Sequence, residues 1–317
     1  MSRRNWILAG VAGAALLAGS AAHAQAPAAP AAAAKPPAVV NGEVVTQAEL
    51  NDALRQVTGP NAAPLTEDQR RGQQMQVLGM LIDDKLMRQF LAKNCPPAAP
   101  ADVNERVAAI AAELKKQNKT LQDYYKETGE TEAAFRGFCA LAVQWDAYAQ
   151  SKISDADVEK YYKDNKDFFD RVMVRASHIV LRIPPNATDA DKAKLKQQLA
   201  DLRAQIAANK LDFAEAAKKY SQCPTAPSGG DVGYFPRKGM VDDAFAQAAF
   251  GTPVNGVTDV IQTGYGYHLI KVTDRKAGEP SDFAKIKDDV RAICADEMRA
   301  KLLDDLRKAA KVEITLP

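Results

Sequence analysis

The chain has 317 residues, of which 46% are hydrophobic and 26% are charged, close to the averages of soluble globular proteins. This composition excludes collagen, a wholly disordered chain and a polytopic membrane protein, and the length predicts about two domains. The 42 basic residues nearly balance the 40 acidic ones and form no basic stripe, so we expect no nucleic-acid partner.

The first residues have the pattern of a secretory signal peptide. A positively charged start precedes the apolar segment 6–19, and Ala22-His23-Ala24 is a small-x-small cleavage site. The apolar segment is shorter than the ~20 residues that span a bilayer, which favours a cleaved signal over residues 1–24 rather than an anchor. We therefore expect a periplasmic protein with no stable membrane insertion after cleavage.

The predicted fold begins after a linker. Residues 25–37 are almost entirely Ala and Pro and have too little large apolar surface to pack, which predicts disorder. From residue 38, β-branched residues flank Asn41-Gly42 and predict a short hairpin. Helical patterns then dominate, so residues 38–170 predict an N-terminal helical region. Its longest apolar face consists of Met75, Leu78, Ile82, Leu86 and Phe90.

The sequence pattern changes at residue 171. Segment 171–182 is rich in β-branched residues and predicts a buried strand. Three helices are predicted next, followed by two strands on either side of Gly264-Tyr265-Gly266, while the Gly-, Pro- and Ser-rich segment 221–239 is expected to be a loop. Residues 171–275 therefore predict a compact α+β domain of order β-α-α-α-β-β.

The last part of the chain predicts an amphipathic helix. Apolar residues recur at helical spacing from Phe283 to Leu306, and residues 312–316 can add a strand. Such a helix needs a partner, and the α+β domain already closes its own core. We therefore expect residues 276–317 to pack on the N-terminal helical region, with the α+β domain inserted between the two helical parts.

Two histidines follow the predicted signal peptide. His178 lies on the first strand of the compact domain and His268 on the last, and pairing of these strands would bring the two imidazoles together. No acidic or cysteine cluster surrounds either histidine, so no metal site is predicted. Taken alone, this pattern favours histidines satisfied within a core. A thiol nucleophile at Cys223 is an alternative, for which a lone Cys–His pairing is weak support.

Four segments of the compact domain stand in a characteristic order. They are Ala176-Ser177-His178-Ile179-Val180-Leu181, Asp212-Phe213-Ala214-Glu215, Gly229-Gly230-Asp231-Val232-Gly233-Tyr234-Phe235 and Gly264-Tyr265-Gly266-Tyr267-His268-Leu269. In this order they resemble the parvulin-type peptidyl-prolyl isomerases. The flanking segments 40–45 and 311–314 look like the SurA/PrsA group of secreted foldases, in which a parvulin domain is inserted in a helical chaperone domain.

The resemblance implies prolyl cis/trans isomerisation without a metal or cofactor. Rotation about an amide bond has a barrier of about 18–20 kcal/mol, which a protein can lower by binding the twisted amide better than either planar form. By resemblance, the proline pocket would comprise Val232, Met240 and Phe245. The polar cluster beside the rotating bond would comprise His178, Cys223, Thr263 and His268. We expect Cys223 to tune polarity rather than to form a covalent bond.

The sequence departs from the family pattern at three points, one of which is Cys223, where some family members have Asp. Met240 and Phe245 are five residues apart where the family usually has four, which leaves the identity of the pocket aromatic open. Segment 182–187 contains only one Arg where phosphate-directed relatives have a basic loop, so no preference for phosphorylated substrates is expected. The predicted partners are unfolded polypeptides that contain X–Pro bonds, and the chain is expected to be a monomer or homodimer.

Two other functions are compatible with parts of this sequence. A holdase chaperone with an inactive parvulin domain is the alternative, although retention of His178, His268, Cys223 and Met240 favours an active isomerase. A secreted Cys/His hydrolase is disfavoured because the loop around Cys223 is not the helix N-terminus that usually activates a thiol. Among the four cysteines, a Cys95–Cys139 disulfide is a hypothesis, and the other pairings stay open.

Overall fold

The structure is a computed structural model that describes residues 35–58 and 65–316. The predicted signal peptide 1–24 and most of the predicted linker 25–37 lie outside the described residues. Within these ranges, no helix is both long enough and apolar enough to span a bilayer. The chain divides into two compact units: one combines the residues up to Val158 with those from Lys287, and the other is Glu159–Ile286.

The helices and strands of the described residues are numbered in chain order. The first are β1 (Ala38–Val40), β2 (Glu43–Val45), α1 (Gln47–Thr58), α2 (Glu67–Asn94), α3 (Pro100–Lys116), α4 (Leu121–Thr128), α5 (Glu132–Lys152), α6 (Asp155–Asp164) and α7 (Lys166–Phe169). Next come β3 (Met173–Leu181), α8 (Asp189–Ala207), α9 (Phe213–Tyr220), β4 (Asp231–Pro236), α10 (Asp243–Phe250), β5 (Ile261–Thr263) and β6 (Gly266–Lys276). Helix α11 (Phe283–Ala309) and strand β7 (Val312–Ile314) follow.

The first unit contains a three-stranded antiparallel sheet of order β2-β1-β7. The turn between β1 and β2 is Asn41-Gly42, and its positive φ values of 52° and 87° suit these two residue types. Val40 of β1 is fully buried together with Leu78 of α2, and Val312 of β7 packs against the same core. A strand from the C-terminal part of the sequence thus joins the sheet that the N-terminal hairpin begins.

Helices α3, α4 and α5 of the first unit share a separate apolar core that includes Phe135 and Cys139. Burial in this core raises the pKa of the Cys139 thiol to about 11. Cys95 and Cys139 are both free, so the Cys95–Cys139 disulfide hypothesis is wrong. The reason is that Cys139 faces this core, whereas Cys95 is the C-cap residue of α2.

The second unit is built on a four-stranded antiparallel sheet of order β4-β3-β6-β5. Successive strand residues point to opposite faces, so Ile179 and Leu269 pack against α8 and α9, while Ala176 and Ile270 pack against α10. This arrangement of helices on both faces of an antiparallel sheet confirms the predicted α+β class. The face covered by α10 also receives His178 and His268.

The predicted order β-α-α-α-β-β is wrong at one strand. Segment 221–239, predicted to be a loop, contains β4, so the observed order is β-α-α-β-α-β-β. Gly233 lies inside β4 with a φ of 71°, and glycine in a strand weakens the local β pattern. The strand forms because it pairs with β3, for example Phe235 with Val174, and this pairing cannot be seen in the local composition.

Candidate active site

Two histidines come together on the α10 face of the second unit's sheet. In the β3–β6 ladder His178 pairs with Ile270 and Val180 pairs with His268, which makes the imidazoles diagonal neighbours on one face. Their rings stack with centroids 5.4 Å apart and an interplanar angle of 21°, and their Nδ1 atoms are 3.3 Å apart. The two histidine-bearing strands therefore pair, and their pairing brings the imidazoles together as expected.

The tight turn between β5 and β6 holds Thr263 beside His268. The Thr263 Oγ1 lies 2.8 Å from Nε2 of His268 and accepts a hydrogen bond from the Tyr265 N–H at 3.1 Å. Gly266 has a φ of 140°, and a Cβ at this position would lie 2.3 Å from the carbonyl oxygen of Leu181. Because only glycine fits so close to β3, Gly266 sets the position of the Thr263 hydroxyl.

Phe245 borders the histidine pair on its apolar side. Asp242 is the N-cap of α10, and its carboxylate accepts the Phe245 N–H at 3.4 Å, which fixes the start of the helix. The Phe245 ring meets the His178 and His268 rings edge to face, at centroid distances of 5.5 and 5.8 Å. The aromatic residue predicted for the pocket therefore contacts both imidazoles.

The other two predicted pocket residues differ in burial. Val232 of β4 is partly buried and packs against the apolar cluster that contains Phe235 and Phe245. Met240 lies between β4 and α10 and is 62% exposed. The structure thus brings Val232 and Phe245 into one cluster and leaves Met240 accessible to a ligand.

Cys223 lies in the segment that follows α9. Its sulfur accepts a hydrogen bond from the Thr225 hydroxyl at 3.3 Å, and its backbone N–H donates to the Ser221 hydroxyl oxygen at 3.4 Å. The same Ser221 oxygen accepts the Val180 N–H of β3 at 3.1 Å. Among the described residues the thiol has an alcohol partner rather than an imidazole partner, which does not favour thiolate chemistry.

Ser221 and Gly230 position the histidine strand, and neither was singled out as a site residue from the sequence. The His178 N–H donates to the Gly230 carbonyl at 2.9 Å, and a Cβ at Gly230 would lie 2.2 Å from the His178 carbonyl oxygen. The available signal was the pair Gly229-Gly230, since adjacent glycines are typical of a close backbone approach.

Burial keeps both imidazoles uncharged. His178 is 8% exposed and burial lowers its pKa; His268 is 4% exposed, and burial together with the neighbouring His178 lowers its pKa to about 4. The Nε2 atom of His178 is buried and has no hydrogen-bond partner among the described residues. Neutral histidine can bind metals, but the described chain contains no group of three His, Cys, Asp or Glu side chains that could hold one.

Comparison with known proteins connects this geometry to one family. Residues 178–274 match the rotamase family, described as the PPIC-type PPIASE domain. A foldase protein PrsA of Geobacillus sp. is 32% identical over 212 residues, which are 63% of this chain and 67% of the relative. The chaperone SurA of Thiobacillus denitrificans is 26% identical over 249 residues, which are 75% of this chain and 56% of that chaperone. A peptidylprolyl isomerase, PrsA, from Bacillus anthracis, whose crystal structure is known, has 22% sequence identity with this chain and a TM-score of 0.42. The match covers 76% of this chain and 99% of the Bacillus anthracis chain.

Proposed function

Since this chain belongs to the parvulin-type peptidyl-prolyl isomerases of the SurA/PrsA foldase group, we propose that it isomerises X–Pro bonds at the histidine pair of the second unit. The protein is a peptidyl-prolyl isomerase and foldase, and no observation favours the alternative of an inactive parvulin domain. One observation carries the proposed site: a buried hydrogen-bonded chain from Thr263 through His268 to His178 ends at an unpartnered nitrogen beside Phe245.

The proton positions follow from the partners of Thr263. Its oxygen accepts the Tyr265 N–H, and in the arrangement we assign its own proton is donated to Nε2 of His268. His268 then donates its Nδ1 proton to Nδ1 of His178, which carries its own proton on Nε2. We assign this arrangement because it leaves only the His178 Nε2–H donor without a partner. If His178 donated to His268 and His268 to Thr263, both the Thr263 proton and the His178 Nε2 lone pair would lack partners.

A donor at the end of this chain suits a twisted amide. In a planar X–Pro bond the nitrogen lone pair is delocalised into the carbonyl group, while at the top of the rotation it is localised and can accept a hydrogen bond. The His178 Nε2–H then binds the twisted form better than either planar form and lowers the barrier without a covalent step. Val232, Met240 and Phe245 supply the apolar wall for the proline ring.

The clients that fit this site are unfolded, unmodified polypeptides containing X–Pro bonds. The foldase and chaperone relatives support such clients, and the first unit supplies the helical region that would bind them. The segment after β3 contains one basic residue, Arg182, which does not favour a phosphorylated substrate. Cys223 contributes polarity near the site rather than a nucleophile.

The organisation of the whole chain belongs to the same proposal. Residues 1–24 are a signal peptide that directs the protein to the periplasm without stable membrane insertion, and residues 25–37 are a linker. A helical chaperone region at 38–170, completed by 276–317, carries the isomerase domain at 171–275. The working form is a monomer or homodimer, without a metal or cofactor.

The site is tested by the exchange rate between the cis and trans forms of an unphosphorylated Ala-Pro peptide, measured by NMR with the chain lacking residues 1–24. We expect acceleration by the wild type and a loss of about tenfold or more in a His178→Ala/Met240→Ala variant, in line with the cost of removing a preorganised donor. Lys219→Met is the control, because Lys219 is an exposed residue of α9, on the opposite face of the sheet. Full activity in the double variant would exclude this site.

A further inference from the structure

The segment that carries Met240 has few restraints of its own. Residues 237–242, here called the pocket segment, join β4 to α10 without forming a helix or strand. Gly239 within it has a φ of 85°, and Met240 is 62% exposed. A segment of this kind samples several conformations unless side chains hold it in place. Whether Met240 is presented to a substrate therefore depends on the anchors of its neighbours.

Lys238 is one such anchor. Its Nζ donates a hydrogen bond to the Tyr161 hydroxyl oxygen at 2.9 Å. The same ammonium lies 4.9 Å from the centroid of the Tyr161 ring and 5.8 Å from that of Phe168. A cation within about 6 Å of aromatic rings is attracted to their electron-rich faces. Lys238 is thus held by a hydrogen bond and by two rings, two residues away from Met240.

The rings that hold Lys238 belong to a cluster of five, here called the aromatic platform. Its members are Tyr161, Tyr162, Phe168, Phe169 and Phe283. Phe168 and Phe169 have ring centroids 5.1 Å apart, and Tyr162 and Phe283 have centroids 5.0 Å apart. Every member lies within the second unit but outside residues 178–274, the part that matches the isomerase family.

Contacts between the two flanking segments fix the platform. The Ser281 N–H and hydroxyl both donate to Oδ1 of Asp170, at 2.9 and 2.7 Å, and the Tyr162 hydroxyl donates to the Ser281 carbonyl at 2.7 Å. Gly278 packs so tightly that a Cβ there would lie 1.6 Å from the Asp170 carbonyl oxygen. The residues before β3 and those after β6 are therefore held in contact with each other, and Lys238 connects the pocket segment to them through its contacts with Tyr161 and Phe168.

The ends of the pocket segment have separate anchors. Arg237 forms an ion pair with Asp243 at 2.7 Å, and Asp242 caps α10. These contacts fix the approach to the helix and the position of Phe245. Val241 packs against the apolar cluster of Phe235 and Phe245 and holds the segment on the C-terminal side of Met240. On the N-terminal side of Met240, the anchor is Lys238 with its contacts.

We propose that Lys238, held on the aromatic platform, is a positioning residue that fixes the pocket segment in the conformation that presents Met240 to the proline ring. This inference rests on the role of Met240 in the proposed function. If only a fraction of molecules holds the competent conformation, the apparent dissociation constant rises by the inverse of that fraction. Loss of the anchor therefore weakens substrate binding, while the rotation of a bound X–Pro bond, which depends on the histidine pair, is unchanged.

The test measures these two quantities separately in the chain lacking residues 1–24. Chemical-shift titration gives the dissociation constant of an Ala-Pro peptide, and NMR exchange at high peptide occupancy gives the rotation rate of the bound form. In Lys238→Met we expect the dissociation constant to rise about fivefold, as when one molecule in about five keeps the competent conformation, with the bound rate within about twofold of wild type. Lys238→Arg keeps the cation over the rings and is expected to restore binding.

Two further variants keep the result interpretable. Tyr161→Phe removes the hydroxyl acceptor but keeps the ring, so its dissociation constant is expected to lie between those of wild type and Lys238→Met. If Lys238→Met folds poorly, a dissociation constant of Tyr161→Phe above that of wild type still tests the anchor. Lys219→Met removes another lysine that lies over a ring, that of Tyr220 at 5.0 Å, and is expected to bind as wild type does.

Three outcomes would overturn the inference. Wild-type binding in folded Lys238→Met and Tyr161→Phe variants would show that the anchor does not position Met240. An equal loss of binding and bound rate would place Lys238 in the catalytic step instead. Failure of the wild type itself to accelerate exchange would overturn the proposed function, and this inference with it, and the wild-type measurement alone identifies that case.

Discussion

His178 and His268 differ from ordinary histidines because the protein surrounds them with apolar groups. An imidazole in water titrates near pH 6.5, but the charged form loses its hydration when it is buried. His268 has a pKa of about 4 because burial is reinforced by the neighbouring imidazole. At neutral pH the pair is therefore a polar but uncharged surface, which suits an amide whose charge changes little during rotation.

Both histidines are expected to titrate below their ordinary pKa, because burial disfavours the charged form of each ring. Since His23 lies in the predicted signal peptide, the processed chain contains only these two histidines, and their ring proton signals can be titrated by NMR between pH 3.5 and 8. We expect the His178 midpoint to lie below its ordinary value because the ring is buried, and the His268 midpoint to lie near 4. A midpoint near 6.5 for either ring would show that the ring is hydrated and would remove the neutral pair from the mechanism.

The lowered pKa of His268 also has a consequence for stability. Its folded pKa lies below its unfolded value, so the neutral form stabilises the fold fully above about pH 6.5, and this contribution is lost as the pH falls towards 4. Between those limits the loss amounts to about 3 kcal/mol. His268→Gln cannot take up this proton, so we expect its unfolding free energy to depend less on pH in this range.

At the scale of secondary-structure elements, the close approach of β4 to β3 decides where His178 lies. The two backbones meet at Gly230, whose φ of 79° and lack of a side chain allow the His178 N–H to reach its carbonyl. Gly233, three residues on, has a similar φ of 71° but no atom within 4 Å of a built Cβ. The two glycines therefore share the backbone requirement and differ in the space available.

This difference makes Gly230 and Gly233 a matched pair. Each Gly→Ala substitution places a Cβ on a residue with positive φ, which destabilises the fold by about 1–2 kcal/mol. Gly230→Ala additionally forces β4 away from β3, because its Cβ would collide with the His178 carbonyl oxygen. We expect Gly230→Ala to lower the unfolding free energy by about 2 kcal/mol more than Gly233→Ala, and to slow isomerisation as His178 moves. Thermal unfolding and peptide exchange would check this, and equal effects of the two substitutions would contradict it.

At the scale of the whole molecule, the first unit is built from two segments of the chain, one that precedes the second unit in sequence and one that follows it. Strand β7 pairs with β1, with Val312 opposite Val40, and Lys311 exchanges hydrogen bonds with Asn41. On α11, Arg291 donates to the Ile153 carbonyl at 2.6 Å. The residues that complete this unit are thus supplied by a segment more than a hundred positions away along the chain, beyond residue 286.

Removing β7 is expected to destabilise the first unit. A chain ending at Lys311 loses the pairing partner of β1 and exposes part of the core around Val40, which is fully buried. Losing the burial of about one valine-sized side chain and the strand pairing should cost roughly 2–4 kcal/mol, seen as an earlier thermal transition. Glu313→Ala is the control, because this β7 side chain is exposed. Unchanged melting of the shortened chain would show that β7 contributes nothing.

Several features of this protein could be predicted from local patterns. The β-branched residues around His178 and the Gly264-Tyr265-Gly266 turn before His268 predict two strands, and helical periodicity predicts α2 and α11. The hairpin at Asn41-Gly42 follows from residue types that tolerate positive φ. These features are local because they depend on backbone preferences and on spacing within a few residues.

Other features depend on contacts between distant segments. Strand β4 contains Gly233 and resembles a loop in composition, yet it forms because β3 supplies its hydrogen bonds. Cys95 and Cys139 lie in the same predicted helical region, which suggested a disulfide, but Cys139 faces an apolar core and both thiols are free. The anchoring of Lys238 on the aromatic platform likewise joins residues 77 positions apart.

The amino-acid sequence by itself determined the family, the α+β class and the two strands that carry His178 and His268, and it proposed the residues of the candidate site. The tertiary structure decided the fourth strand, the absence of a Cys95–Cys139 disulfide, the contacts that join Thr263, His268 and His178, and the contacts of Lys238. The physical reason is range: propensity and periodicity act over a few residues, whereas burial, pKa values and hydrogen-bond partners depend on which distant segments the folded chain brings into contact.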